Sequence, residues 1–211
     1  MRTTRTNTRT AGFSLLEIMA VLVIIAILMV VLLPRLMGFD DTAKEKMTGA
    51  FLGTVDLALG EYEGRFGDYP PSQYLEKWGP APNTTNVGAE ALVVSLWSPE
   101  WSGTAVSEDR LVNTDADETR KQITKFSSTS LFELSDEWGN PIAYFHHRDY
   151  GRQDNYVVTD SEEDAVVEQP VKARMKAATK TYANPTKYQL ISAGADGKFG
   201  TEDDITNFKS D

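Results

Sequence analysis

Cysteine is missing from this chain of 211 residues, and histidine occurs only twice, at His146 and His147. The absence of cysteine excludes disulfides and thiolate metal sites. Adjacent residues on a strand point to opposite faces, so the two histidines are not expected to bind one ion together. The sequence also lacks a glycine-rich phosphate loop and a nucleophile motif. These absences predict a protein that is not an enzyme.

Basic residues are fewer than acidic ones, with 21 lysines and arginines against 31 aspartates and glutamates and a net charge of −10. Arg2, Arg5 and Arg9 lie in the first twelve residues, so removing those three positive charges leaves a net charge of −13. No basic stretch with interleaved aromatic residues is present. An acidic chain of this kind is not expected to bind nucleic acid.

One long apolar run extends from Phe13 to Leu33, and its only polar residues are Ser14 and Glu17. As an α-helix it would span roughly 31 Å, which is about the thickness of the hydrocarbon core of a bilayer. The basic leader, residues 1–12, is the flank that keeps an N-terminus cytoplasmic. We therefore predict a transmembrane helix over residues 13–33.

Glu17 is unusual because a carboxylate inside a membrane segment costs about 2.5–3.5 kcal/mol. We therefore expect Glu17 to have a partner. Gly12 stands before the apolar run, whereas a signal peptide has its cleavage site after the apolar core. Cleavage after Gly12 would remove the leader and keep the helix.

The stretch from Gly12 to Glu17, with Pro34 closing the apolar run, resembles the type III signal of type IV pilins and pseudopilins. The resemblance implies that a prepilin peptidase cleaves after Gly12 and methylates the new N-terminal residue, Phe13. It also implies that Glu17 contacts the Phe13 amine of a neighbouring subunit during assembly. Such a pair would remove an uncompensated buried charge.

After residue 34, apolar residues recur every three or four positions, which is the helical period. They are Phe39, Ala43, Met47, Phe51, Val55, Leu59, Tyr62 and Phe66. This stripe predicts that the helix continues over an amphipathic segment, residues 34–67, which packs on a globular head formed by residues 68–211. Pro34 is expected to bend or locally open the helix, and Gly67 is expected to cap its end.

Within the head, the local patterns predict helices over residues 88–97, 115–126 and 171–181. They also predict a turn at residues 136–141, a strand over residues 142–146 and a last strand over residues 188–192. Residues 160–164 are acidic and are predicted to form a solvated loop.

Near the C-terminus, several carboxylates flank a turn that contains two glycines; these residues are Asp196, Gly197, Gly200, Glu202, Asp203 and Asp204. Calcium prefers six to eight oxygen ligands, and glycines let the backbone curl tightly. The residues alone leave open a calcium loop and a plain acidic hairpin.

Residues 192–207 and the motif Asp136-x-Trp138-Gly139-Asn140 are similar to the major pseudopilins of type II secretion systems. The resemblance implies that calcium is bound by the side chains of Asp196, Asp203 and Asp204. It also implies backbone carbonyl ligands, for which the candidates are Ile191, Ser192 and Phe199. Two segments are longer than the usual connections of that family: the first insertion, residues 71–135, and the second insertion, residues 151–187.

The resemblance implies an α+β, type IV pilin-like fold with a long N-terminal helix packed on a small antiparallel sheet. The implied function is that of a structural subunit, a homo-oligomer in a helical pseudopilus. The implied partners are minor pseudopilins, an inner-membrane assembly platform, a secretion ATPase and the prepilin peptidase. The chain would span the inner membrane, with a periplasmic head. Two alternatives stay open: a type IV pilin for adhesion or motility, and a monomeric membrane-tethered calcium-binding module.

Overall fold

The computed structural model describes residues 14–209, without the side chains of residues 31–39. Helix α1 extends over Leu15–Phe66 and helix α2 over Val87–Leu96. The strands are β1 (Leu111–Val112), β2 (Glu133–Leu134), β3 (Ala143–His146), β4 (Gln153–Asp160), β5 (Ala165–Lys172), β6 (Tyr188–Ser192) and β7 (Ile205–Thr206). All pairs of these strands are antiparallel. The α+β fold class is therefore confirmed.

The chain divides into two compact units, Met1–Thr42 and Ala43–Asp211. In the described part of the first unit, every large apolar side chain between Leu15 and Val30 is at least 45% exposed. Among the residues that the structure describes, no helix is long and apolar enough to span a membrane. The predicted span begins at Phe13, outside the described residues, and the transmembrane helix stays a prediction.

In the second unit, helix α1 contributes one face to the main core. Phe51, Val55 and Leu59 are buried, as the apolar stripe predicts. The stripe is wrong for Ala43 and Met47, which are exposed, because packing against the head begins near the buried Thr48. It is also wrong for Phe66, which is 41% exposed at the end of the helix. The helix ends at Phe66 as predicted.

Gly67 caps helix α1. Its φ is +81°, the left-handed region that glycine adopts without a steric penalty. Its N–H donates to the Glu63 carbonyl at 2.7 Å, which is a typical way to end a helix. The sequence prediction for this cap is confirmed.

The central sheet has the strand order β3-β6-β7. Strand β3 pairs with β6 through Tyr144 and Leu190, which are both fully buried. These side chains share one core cluster with Val55 and Leu59 of helix α1. The bounds of β6 agree with the prediction, but β6 is not the last strand, because β7 follows it and pairs with its end.

The first insertion contains α2, β1 and β2. Helix α2 is buried, and it agrees with the predicted helix over residues 88–97 within one residue. The predicted helix over residues 115–126 is wrong, since no helix is found there. Asn113 explains the difference: its amide donates to the Asp117 carbonyl at 2.9 Å and its Oδ1 accepts from the Asp117 N–H at 3.2 Å. Such local bonds compete with helix formation.

The second insertion is mainly the β4–β5 hairpin, whose turn occupies residues 161–164, the last three of which are acidic. The predicted helix over residues 171–181 is wrong, because Val171 and Lys172 complete strand β5. Beyond the strand, the side chain of the buried Gln189 forms hydrogen bonds with both the N–H and the carbonyl of Arg174. Its Oε1 accepts from the Arg174 N–H at 2.6 Å and its Nε2 donates to the Arg174 carbonyl at 2.9 Å. This contact from β6 overrides the local helical pattern.

Candidate functional site

The beginning of helix α1 forms a capping box. The Ser14 N–H donates to Glu17 Oε2 at 2.9 Å, and Ser14 Oγ accepts from the Leu16 N–H at 3.2 Å. This arrangement satisfies backbone donors at the helix start. In the single chain, Glu17 therefore has a local partner. Gly12 and Phe13, the predicted cleavage and methylation site, lie outside the described residues.

In the C-terminal loop, Asp203 and Asp196 accept hydrogen bonds from the loop backbone. Asp203 Oδ2 accepts from the Asp196 N–H at 2.9 Å. Asp196 Oδ1 in turn accepts from the Lys198 N–H at 2.7 Å. Hydrogen bonds, among them one from the Thr201 hydroxyl, outweigh burial and lower the pKa of Asp203. An ionised carboxylate is the form that binds a cation.

In the described part of the chain, Asp204 forms an ion pair with an arginine, unlike Asp196 and Asp203. Its Oδ2 forms an ion pair with Arg174 and accepts from the Gly200 N–H at 3.0 Å. Its Oδ1 is buried without a hydrogen bond. Two clusters of three ligand groups close enough for one ion occur in residues 14–209, and neither contains Asp196, Asp203 or Asp204. The structure thus places the three carboxylates on one loop without converging them on a point.

The three residues predicted to bind calcium through their backbone carbonyls lie around this loop. Ile191 and Ser192 are buried at the end of β6, where they pair with β7. Phe199 packs its ring 5.7 Å from the ring of Tyr156. Its N–H donates to Gln169 Oε1 at 3.1 Å.

The motif at residues 136–140 contacts the end of β6, where two of the predicted carbonyl ligands lie. Ser192 Oγ donates to Asp136 Oδ2 at 2.7 Å. The Asn140 N–H donates to Asp136 Oδ1 at 3.0 Å, and Asn140 Oδ1 accepts from the Thr159 N–H at 2.7 Å. This motif therefore joins the end of β6 to strand β4.

The prediction that His146 and His147 point to opposite faces is wrong. Strand β3 ends at His146 and a 3₁₀ turn begins at His147, so the two rings lie 4.3 Å apart. With Asp68, they form a group with metal-ligand spacing. However, Arg148 pairs with Asp68 Oδ2 at 2.7 Å, and His147 Nδ1 lies 3.0 Å from the Lys187 carbonyl oxygen. Protein groups thus already contact Asp68, both ring nitrogens of His146 and Nδ1 of His147.

A second cluster, which the sequence analysis missed, lies in the first insertion. Glu90 of α2 meets Asp115 and Asp117 of the following loop, and Glu133 of β2 is buried nearby. The signal in the sequence was Glu90 itself, an acidic residue inside the apolar stretch from Ala89 to Leu96. Its partners come from other elements, so spacing alone does not reveal them.

Comparisons with known proteins support the predicted family resemblance. Residues 7–33 match the prokaryotic N-terminal methylation motif. The chain is 27% identical to the type II secretion system core protein G of Escherichia coli strain K12 over 204 residues, which cover 97% of this chain and 94% of that protein. It also aligns with the major pseudopilin from the type 2 secretion system of enterohaemorrhagic Escherichia coli, with 14% identity, coverage of 82% and 94%, and a TM-score of 0.33. The two sequence matches confirm the predicted resemblance, whereas the structural match is too weak to support an argument.

Proposed function

We propose that the chain is a structural subunit of a pseudopilus in a type II secretion system. The observation that carries this proposal is the similarity to core protein G, which extends over nearly the whole of both chains. The methylation motif at residues 7–33 also supports it, because it covers the region of the predicted processing site. The role is structural rather than catalytic.

Helix α1 would supply the contacts between subunits. Its large apolar side chains from Leu15 to Val30 are all exposed in the single chain. An exposed apolar surface of this extent needs a cover, and the proposed covers are lipid before assembly and neighbouring helices in the filament. The chain would then be anchored in the inner membrane with the leader in the cytoplasm and the head in the periplasm.

Glu17 would pair with the Phe13 amine of a neighbouring subunit. Its capping bond to Ser14 holds the carboxylate at the start of the helix, close in sequence to the N-terminus that cleavage after Gly12 would create. One carboxylate has room for further donors beyond one backbone N–H. The capping box and the contact between subunits are therefore compatible.

Calcium would bind the C-terminal loop through Asp196, Asp203 and Asp204. The buried Asp204 Oδ1 without a hydrogen bond supports this proposal, since such an oxygen is costly unless a donor or cation reaches it. Gly194 allows the close approach of Asp203, whose carbonyl oxygen would lie 2.3 Å from a Cβ atom at that position.

The replacement Glu17→Gln tests the assembly mechanism. Glutamine keeps the acceptor that a capping box needs but removes the charge. We expect this variant to be processed and inserted in the membrane like the parent, yet to be absent from sheared filaments. N-terminal sequencing of the processed chain is expected to begin at Phe13. Normal filament formation by Glu17→Gln would refute the pairing, and a different N-terminus would refute the processing site.

A further inference from the structure

The carboxylates of the first insertion converge on a point. Glu90 of α2 and the loop residues Asp115 and Asp117 each offer an oxygen, and these oxygens all lie within 4.8 Å of one another. A calcium ion holds its ligands at about 2.4 Å, so two oxygens on opposite sides of it are about 4.8 Å apart. The spacing therefore fits a single ion that contacts all three side chains.

Glu90 and Asp117 are buried and Asp115 is half-buried, and the cluster has no positive partner within residues 14–209. Glu90 is only 1% exposed, Asp117 8%, and the neighbouring Glu133 is fully buried. None of the ion pairs found among residues 14–209 involves these groups or Asp115. Several buried carboxylates without a counter-charge are strongly destabilising. Something besides a lysine or arginine must offset them.

Each of the three carboxylates keeps one oxygen without a hydrogen bond. The orphaned atoms are Glu90 Oε1, Asp115 Oδ1 and Asp117 Oδ1. Asn83 Nδ2 donates to the other oxygens of Asp115 and Asp117, at 2.8 and 3.1 Å. Asn83 thus fixes both aspartates while leaving an oxygen of each available. The Tyr74 hydroxyl is also buried without a hydrogen bond, and burial followed by the charges of Glu90 and Asp117 raises its pKa.

The neighbouring Glu133 accepts hydrogen bonds from other protein groups. Asn86 Nδ2 donates to its Oε1 at 3.1 Å, and the Thr114 N–H donates to its Oε2 at 3.1 Å. Both of its oxygens therefore have donors, unlike those of the other three carboxylates. Glu133 adds negative charge to the cluster without offering a free oxygen.

Without a cation, the only remaining way to offset the charge is to bind protons. Burial, and then the neighbouring carboxylates, raise the pKa of Glu90 far above its usual range and also raise that of Asp117. For the same reasons, the pKa of Glu133 is raised to about 8. A divalent cation would reverse these shifts. Protons and a cation are thus the two competing explanations, and they differ in what binds.

We propose that Glu90, Asp115 and Asp117 bind a calcium ion in the head, at a site separate from the C-terminal loop. The ligands are all oxygens, without nitrogen or sulfur, which favours a hard cation. Calcium accepts irregular oxygen sets, whereas magnesium demands a near-ideal octahedron. The ion would bridge helix α2 to the loop after β1. This site goes beyond the proposed function and does not depend on it.

The test counts calcium ions bound by the full chain in detergent, using equilibrium dialysis. Every chain in this test carries Asp203→Asn, which removes a ligand of the predicted C-terminal site. The chain with this replacement alone is the parent of the test. We expect this parent to bind one calcium ion per chain, and the further replacement Glu90→Gln to abolish binding. Glu118→Gln is the matched control, since Glu118 is exposed on the same loop; the control is expected to bind one ion.

A stability measurement separates loss of the ion from loss of the fold. Glutamine is similar in size to glutamate and carries no charge to bury, so without calcium the melting temperature of Glu90→Gln is expected to be no lower than that of the parent. Calcium is expected to raise the melting temperature of the parent but not of this variant. If Glu90→Gln fails to fold, Asp115→Asn replaces it with the same expectations. Absence of calcium binding by the parent, or undiminished binding after either replacement, would overturn the proposal and leave protons as the explanation.

Discussion

Replacement of Gly197 by alanine tests how the C-terminal loop is held against strand β4. Gly197 has a φ of +70°, and a Cβ atom there would lie 2.0 Å from the Thr159 carbonyl oxygen. A left-handed backbone costs alanine about 1–2 kcal/mol. The forced contact with a backbone atom typically adds about 1–3 kcal/mol. We therefore expect Gly197→Ala to lower the free energy of unfolding by about 2–5 kcal/mol.

Gly139→Ala is the matched control, because Gly139 has a φ of +83° with no atom within 4 Å of the added Cβ. It should lose only the backbone term, about 1–2 kcal/mol. In a domain of this size, 1 kcal/mol shifts the Tm by about 2–4 °C, so the expected decreases are about 4–20 °C for Gly197→Ala and about 2–8 °C for the control. Thermal unfolding followed by circular dichroism measures both. Equal losses in the two variants would show that the loop does not approach β4 as closely as the distance indicates.

The remaining predictions concern the core, the start of α2 and the C-terminal loop. Leu59 is fully buried, so Leu59→Ala should lower the free energy of unfolding by about 2–5 kcal/mol. Leu57 is 67% exposed, so Leu57→Ala should change that free energy by less than about 0.5 kcal/mol. Urea titration measures both variants. Asn86→Ala removes the acceptor of the Val157 N–H and a donor to Glu133, and should cost about 2–4 kcal/mol in the same assay. A chelator should lower the Tm of the head, and Asp203→Asn should reduce that response; an unchanged melting curve would count against calcium in the C-terminal loop.

Features that depend on neighbouring residues could be predicted from the sequence. Strand β6 has the predicted bounds, and helix α2 differs by one residue. The end of α1 at Phe66 follows from Gly67, whose left-handed φ suits the cap. In each case the period of the apolar residues and the residue that ends the element lie within one short window. No distant contact has to be known.

Features that depend on distant contacts could not be predicted in this way. Residues 171–181 carry a helical pattern, yet Val171 and Lys172 belong to β5 and Gln189 on strand β6 binds the backbone of Arg174. Similarly, Glu90 is conspicuous in its apolar surroundings, but its neighbours Asp115 and Asp117 come from a loop that was predicted to be helical. A single sequence does not indicate which elements will meet. The same limit applies to His146 and His147, whose mutual orientation depends on where β3 ends.

Strand β4 links the two regions in which we propose cation sites. At one end, the Asn86 N–H donates to the Asn155 carbonyl at 2.9 Å and Asn86 Oδ1 accepts from the Val157 N–H at 3.0 Å, which fixes the start of the helix that carries Glu90. At the other end, Thr159 touches Gly197 of the C-terminal loop. Because an ion that binds only the folded state stabilises whatever unfolds with its site, both ions should stabilise one cooperative unit. We therefore expect a single unfolding transition of the head at every calcium concentration, and a separate early transition of the first insertion would show that β4 does not couple the two regions.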